Sequence, residues 1–197
     1  LRIIVDDQNC LQSIAYIKKE IFSTYTINES AVSFCIPTTV LAECLNVFGT
    51  GNNVAMKMSY GGKGEPLKVM LEKDGIVVKC VIRTQNPDAI LDFDFDAFRI
   101  CAKAILKPQK LKEVLHDLDT SSPSVGFQIS REGICISTDG EMGKIQVEFP
   151  QCSEQIEHLD CGTAVKRRYR LSLIKRMTAS LALSQKASLR IDNRGVL

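Results

Sequence analysis

The sequence predicts an α+β fold: antiparallel sheet covered by one layer of short helices. Three observations predict it. Runs that alternate apolar and polar residues fill most of the chain, four short segments carry apolar residues at helical spacing, and turn-forming residues separate neighbouring alternating runs. The chain has 197 residues, 45% hydrophobic and 24% charged, which suits one large domain or two modest ones and argues against disorder.

The elements follow in chain order. Leu1–Asp6 reads as a strand, and Asp7 caps a helix carrying Leu11, Ile14 and Ala15 that ends at Lys18 and Lys19. Ala31–Ile36 reads as a strand. Thr38 caps a helix with Leu41, Cys44, Leu45 and Phe48 on one face and Gly49 as its stop. Strands are expected from Val54 to Ser59, Leu67 to Glu72 and Ile76 to Arg83, the last two joined by an Asp74-Gly75 hairpin. Ala97–Leu106 reads as a strand, and Pro108 opens a helix with Leu111, Val114, Leu115 and Leu118 inward. Val125 to Ser130, Ile134 to Thr138 and Lys144 to Phe149 alternate, with Arg131-Glu132-Gly133 as a turn. Val165 to Leu171 is a strand, Ser172 caps a helix with Ile174, Met177 and Leu181 inward, and Ala187 to Asp192 is a strand.

Charge divides the chain. Residues 1–96 hold 9 basic and 12 acidic side chains, net −3, and residues 97–197 hold 16 and 11, net +5. The change falls on an Asn86-Pro87 turn followed by acids alternating with apolar residues. The expected division is a first domain over 1–85, a connector over 86–96 and a second domain over 97–197. The strand–helix order of the first half recurs in the second, as an internal duplication of low identity. After Leu118 three strand candidates precede the strand at Val165, whereas after Lys19 the corresponding strand begins almost at once, at Ile21, so a further segment is expected between Lys19 and Glu20; without it two sheet edges would lie open. The chain begins at Leu1 rather than Met and stops in mid-strand at Leu197, so more strands are expected beyond it.

Several function classes are poorly served. The eight cysteines include no C-x-x-C pair and there are two histidines, so a zinc site is not expected. Cys35, Cys44, Cys80, Cys101 and Cys135 fall in apolar patterns and read as small buried thiols. No apolar run reaches membrane-spanning length and no basic-then-apolar leader opens the chain. Gly61-Gly62-Lys63-Gly64 lacks the following Ser/Thr and helix of a phosphate loop, and Pro66 follows it, so it reads as a turn. His116 and His158 read as surface histidines, not a hydrolase pair. Asp92, Asp94 and Asp96 read as a solvated acidic strand. No catalytic residue, metal site or cofactor is expected.

Tyr60-Gly61-Gly62-Lys63-Gly64-Glu65-Pro66-Leu67, the Asp74-Gly75 hairpin, Leu91-Asp92-Phe93-Asp94-Phe95, Ser33-Phe34-Cys35-Ile36 and Leu189-Arg190-Ile191-Asp192-Asn193-Arg194-Gly195 resemble the PCNA-like sliding clamp superfamily. Within it they resemble the Rad-one type subunit of the heterotrimeric DNA-damage checkpoint clamp. The resemblance spans residues 20 to 197 and is looser from 97 to 165. It implies the DNA-clamp fold: two similar domains, each with two helices facing a central hole and sheets facing outward. It implies a non-catalytic subunit that closes a ring with two other clamp subunits around duplex DNA at damage sites and serves as a platform for checkpoint signalling and repair proteins. An ATP-driven clamp loader and a nuclear location are implied as well, with no membrane partner.

Such a ring slides without reading bases, so its bore needs diffuse positive charge. The expected bore residues are Lys18, Lys19, Lys107, Lys110, Lys112, Lys175 and Arg176; singly each also reads as the solvated face of an amphipathic helix. The helix from Thr38 offers Glu43 and no base. By the family analogy the ring closes through Ile76, Val78, Cys80 and Ile82 on one edge and Lys144, Gln146 and Glu148 on the other. Ile90, Leu91 and Phe93 in the connector border the family's partner-peptide site. Lys166-Arg167-Arg168-Tyr169-Arg170 is the densest basic run, but in a strand its side chains alternate faces. Two alternatives stand beside the checkpoint subunit: a self-trimerising replication-type processivity clamp, and a sheet-edge adaptor that does not encircle DNA.

Overall fold

The computed structural model describes residues 1–7, 10–49, 53–87, 99–118, 120–141 and 143–197. The chain separates into two compact units, Leu1–Leu91 and Asp92–Leu197.

In the first unit, β1 (Arg2–Asp7) and β2 (Leu11–Tyr16) form an antiparallel hairpin with Arg2 opposite Tyr16 and Asp7 opposite Leu11. The Leu1 nitrogen donates to the Ile17 carbonyl at 2.8 Å, and the Arg2 guanidinium lies 5.8 Å from the Tyr16 ring. The helix expected after Asp7 is therefore a strand. Three apolar positions make too short a stripe to hold a helix, and pairing with β1 satisfies the backbone of both segments. The parallel drawn between this segment and residues 97–118 fails with it.

The chain also runs straight through Lys19. Lys19–Ile21 form a single 3₁₀ turn, with the Ile21 and Phe22 amides donating to the Lys18 and Lys19 carbonyls. The expectation of a further segment between Lys19 and Glu20 rested on a first helix, and the β1–β2 hairpin stands in that helix's place. The strands expected at Ile21 and at Ala31–Ile36 reduce to one bridge, Cys35 to Gln85, with both amide–carbonyl distances 2.9 Å.

Helix α1 (Thr38–Leu45) starts one residue earlier than the Thr38 cap implied: Pro37 stands at the N-cap and no side chain caps it. It packs on a sheet of β3 (Ala55–Tyr60), β4 (Leu67–Lys73) and β5 (Ile76–Ile82), in that spatial order. Cys44 of the helix joins Leu67, Val69, Leu71 and Ile82 in the core. Asp74 (φ 51°) and Gly75 (φ 80°) close the β4–β5 hairpin, both left-handed as a two-residue turn of this hand requires.

The second unit is larger. A three-stranded sheet orders β10 (Ile156–Cys161), β6 (Ile100–Leu106) and β12 (Ala187–Asp192). A four-stranded sheet orders β11 (Val165–Arg170), β7 (Ser124–Ser130), β8 (Gly133–Gly140) and β9 (Gly143–Pro150). Helices α2 (Pro108–Asp117), α3 (Leu171–Lys175) and α4 (Met177–Leu183) share one core with both sheets. Leu111, Leu115, Phe127, Ile129, Ile136 and Ile191 in that core are all but inaccessible to solvent.

Three details differ from expectation here. The helix expected from Ser172 to Leu183 is two helices that bend at Arg176, and Ser172 caps neither. The Thr178 hydroxyl donates to the Lys175 carbonyl at 2.7 Å, a back-bond of the kind that bends helices. Strand β10 carries His158 and has no counterpart among the expected strands. A register shift between Ile156 and His158 breaks its alternation, so the period-two signal is lost. Of the cysteines expected to be buried, Cys44 is buried, Cys80, Cys101 and Cys135 are half-buried, and Cys35 is exposed because its segment is not a strand.

Candidate helix-layer charges and strand edges

The expected bore residues separate into two groups. Lys18 and Lys19 lie in the turn after β2 and on no helix. Lys107, Lys110, Lys112, Lys175 and Arg176 all belong to the helix layer of the second unit, where α2 packs on α3 and α4. The α3–α4 segment contains no acid at all, and α2 offers Glu113 and Asp117.

These cations are held differently. Lys107 precedes α2, its amide donating to the Gln155 carbonyl at 3.0 Å. The Lys110 ammonium sits 2.6 Å from Glu113, whose carboxyl is held below its ordinary value by the hydrogen bonds from Lys110 and Gln109. Lys175 is turned inward. Its ammonium donates to the carbonyls of His116 (3.4 Å) and Leu118 (3.2 Å), closing the C-terminal end of α2, where the helix dipole favours a cation. Spacing along the chain cannot show which helix end a lysine reaches, so this contact has no sequence signal. His116 is exposed and hydrogen-bonded to Asp117 at 3.0 Å.

The expected ring edges fall on true edge strands: β5 ends the sheet of the first unit and β9 ends the four-stranded sheet of the second. Their side chains play opposite parts. Val78, Cys80 and Ile82 stand opposite Leu71, Val69 and Leu67 and face the core, while Val77 and Val81 stay exposed. The Cys44 thiol is pushed up to about 11 by burial and by its hydrogen bond with Cys80. On β9, Lys144, Gln146 and Glu148 face outward and Val147 and Phe149 pack inward. The exposed side chains of β5 are thus Ile76, Val77, Lys79 and Val81. Ile90, Leu91 and Phe93 lie outside the described residues. Among the described residues no cluster of His, Cys, Asp and Glu has the spacing of a metal site, and no helix is long and apolar enough to cross a membrane.

The basic run on β11 splits as a strand must. Arg167 lies over Gly195, and the Tyr169 hydroxyl donates to the Gly195 carbonyl at 3.1 Å; burial pushes that phenol up to about 12. Lys166, Arg168 and Arg170 share the opposite face.

Mostly antiparallel sheet with few helices is the α+β arrangement of PCNA-like clamp subunits. All 197 residues match the profile of the family described as Repair protein Rad1/Rec1/Rad17. The chain is 36% identical over 203 residues to the cell cycle checkpoint protein RAD1 of Mus musculus, covering all of this chain and 72% of that protein. It is 35% identical over 198 residues to the RAD1 homolog mrt-2 of Caenorhabditis elegans, covering all of this chain and 74% of that one. A third relative, 22% identical over 175 residues and covering 72% of this chain and 38% of its own length, is the DNA repair exonuclease REC1 of Mycosarcoma maydis. The chain belongs to the Rad1/Rec1/Rad17 family of repair proteins, as a Rad1-type clamp subunit. A match of 203 positions to a chain of 197 residues leaves no room for three further strands after Lys19, in agreement with the continuous turn there.

Proposed function

We propose that this chain is a non-catalytic subunit of a heterotrimeric ring that encircles duplex DNA without reading its sequence and carries checkpoint and repair proteins in the nucleus. The observation that carries the reading is the helix layer of the second unit. It gathers five basic residues and no base-reading motif, in a unit whose sheet ends in an open strand at β9. Diffuse cations attract phosphates without fixing a register, and an open edge is a surface for a neighbour's strand. The division into two clamp domains about a connector at 86–96 belongs to the same reading, as do an ATP-driven loader and a partner-peptide role for Ile90, Leu91 and Phe93.

Light scattering on the chain alone and with two candidate clamp subunits tests it. A monomer that enters a one-to-one-to-one complex, retained on circular DNA and lost from linear DNA, is expected. A homotrimer would favour the replication-type clamp, and a monomer in every mixture the adaptor. A nuclease reading has one support, the name of the Mycosarcoma maydis relative. Incubation of the purified chain with end-labelled duplex and divalent metal should release no nucleotides; release that copurifies with the chain would replace the non-catalytic reading.

A further inference from the structure

The four-stranded sheet of the second unit has a face turned away from the helices. Val125, Phe127, Ile129 and Val165 point into the shared core, so the alternate residues of β7 and β11 stand on the outside. The register arranges that outer face in rows. Lys166 stands opposite Gln128, then Cys135, then Glu148, and Arg168 stands opposite Gly126, then Ser137, then Gln146.

Gly126 leaves a gap in the middle of the second row. It sits in the interior of a strand paired on both sides, where glycine weakens a sheet and often marks the close approach of another backbone. Gly126, itself buried, lies on the floor of a groove of about 190 Å³ whose lining includes the cations Lys166, Arg168 and Lys144, the polar Gln128 and Ser137, and one acid, Glu148. An added Cβ at Gly126 would stand 3.0 Å from the Ser137 hydroxyl.

The cations on this face are in part preset. The Arg168 Nε and Nη2 donate to the Ser124 hydroxyl at 3.1 and 2.9 Å, which fixes the guanidinium beside the groove. Lys166 and Lys144 flank it, and Arg170 continues the stripe along β11. The acids are fewer: Glu148 accepts from Gln146 Nε2 at 2.6 Å, and Asp139 pairs in register with Lys144.

We propose that this outer groove docks an extended acidic segment of a partner protein, its backbone passing over Gly126 and its carboxylates meeting Lys166, Arg168 and Lys144. The proposal goes beyond the ring reading and does not depend on it. A volume of about 190 Å³ takes a residue or two of a passing chain, and an extended peptide can set an uncharged residue against Glu148 and Asp139 where a continuous row of phosphates cannot, so a peptide fits it better than a duplex.

The test is fluorescence anisotropy of the 197-residue chain with a fluorescein-labelled nine-residue peptide of alternating Glu and Ser. Binding that weakens with salt is expected. Lys166→Glu with Arg168→Glu should weaken it by about tenfold, the scale of two exposed charge pairs reversed. Gly126→Val, which fills the groove at unchanged charge, should also weaken it. Melting curves accompany each variant, and the exposed single change Lys166→Gln, expected to weaken binding by about threefold, stands in if the double variant melts early. Four results overturn the proposal: no peptide binding, equal binding by the variants, equal binding of a Lys–Ser peptide, or displacement of the peptide by a short duplex that itself requires Lys166 and Arg168.

Discussion

Two buried polar side chains in the second unit behave in opposite ways. Asp192 is 1% exposed. Burial alone would raise its carboxyl, but the hydrogen bonds from Arg194 Nε (2.8 Å) and the Val196 amide (2.8 Å), with the Arg194 charge, hold it below its ordinary value. A lowered folded-state value means that the carboxylate stabilises the fold above its unfolded value and ceases to do so as pH falls through the folded one. Asp192→Asn should therefore cost about 1–3 kcal/mol near pH 7. In urea melts the gap from the parent should close as the pH falls below the ordinary carboxylate range; a gap that persists would show a packing effect instead. Thr138 is the reverse case. Its hydroxyl is buried on the core side of β8, opposite Val125 and Ile145, with no hydrogen-bond partner among the described residues. Thr138→Val keeps the shape and removes the unpaired group, so a stability gain of about 1 kcal/mol is expected from the same melts. In the proposed ring Lys175 would bear on DNA retention as well as on stability. Since it closes α2, Lys175→Met should lower stability by about 0.5–1.5 kcal/mol, whereas Lys110→Met, on an exposed pair, should leave it nearly unchanged. Retention on DNA should fall in both.

At the scale of elements, the strands with clean alternation were legible: β3, β4, β5, β7, β8, β9, β11 and β12 lie where their period-two patterns put them, and Asp74-Gly75 turns as its residues require. The failures have physical causes. In β2 three apolar residues fit helix and strand equally, and only the partner strand decided; in β10 a bulge disrupted the pattern; at Arg176 a threonine hydroxyl competed for a helix carbonyl. The candidate site was legible as composition, since lysines at 107, 110 and 112 on a helix and cations at 175–176 can be read directly. Which of them point to solvent could not be, because that depends on a helix end supplied from elsewhere in the chain. The outer groove was hidden for the same reason: Gly126, Ser137 and Arg168 meet only across paired strands. The tightest of these pairings is at Gly133 (φ +151°), where an added Cβ would stand 2.2 Å from the Phe149 carbonyl. Gly133→Ala should cost about 3 kcal/mol or more, since backbone must move, and melting temperature reads it.

For the whole molecule, the assembly reading depends on edges more than on side-chain identity. Val81 is 65% exposed on the outer face of β5, and a charge there should be tolerated by the unit itself. Val81→Glu is expected to leave the melting temperature of the isolated chain within a few degrees and to weaken assembly with the other clamp subunits by about tenfold in sedimentation velocity. An unchanged assembly would move the contact away from β5.

The two cores differ in depth. Five buried apolar residues hold the first unit and twenty hold the second, among the described residues. Cooperativity follows local core size, so the two units are unlike foldons. In hydrogen–deuterium exchange the amides of β3 to β5 should label well before those of β7 and β8. In a calorimeter the chain should give a small early endotherm and a larger late one. A neighbouring subunit that grips the β5 edge would then act as a thermal stabiliser of the first endotherm alone, so that ring assembly and the ordering of the weaker half become one coupled equilibrium.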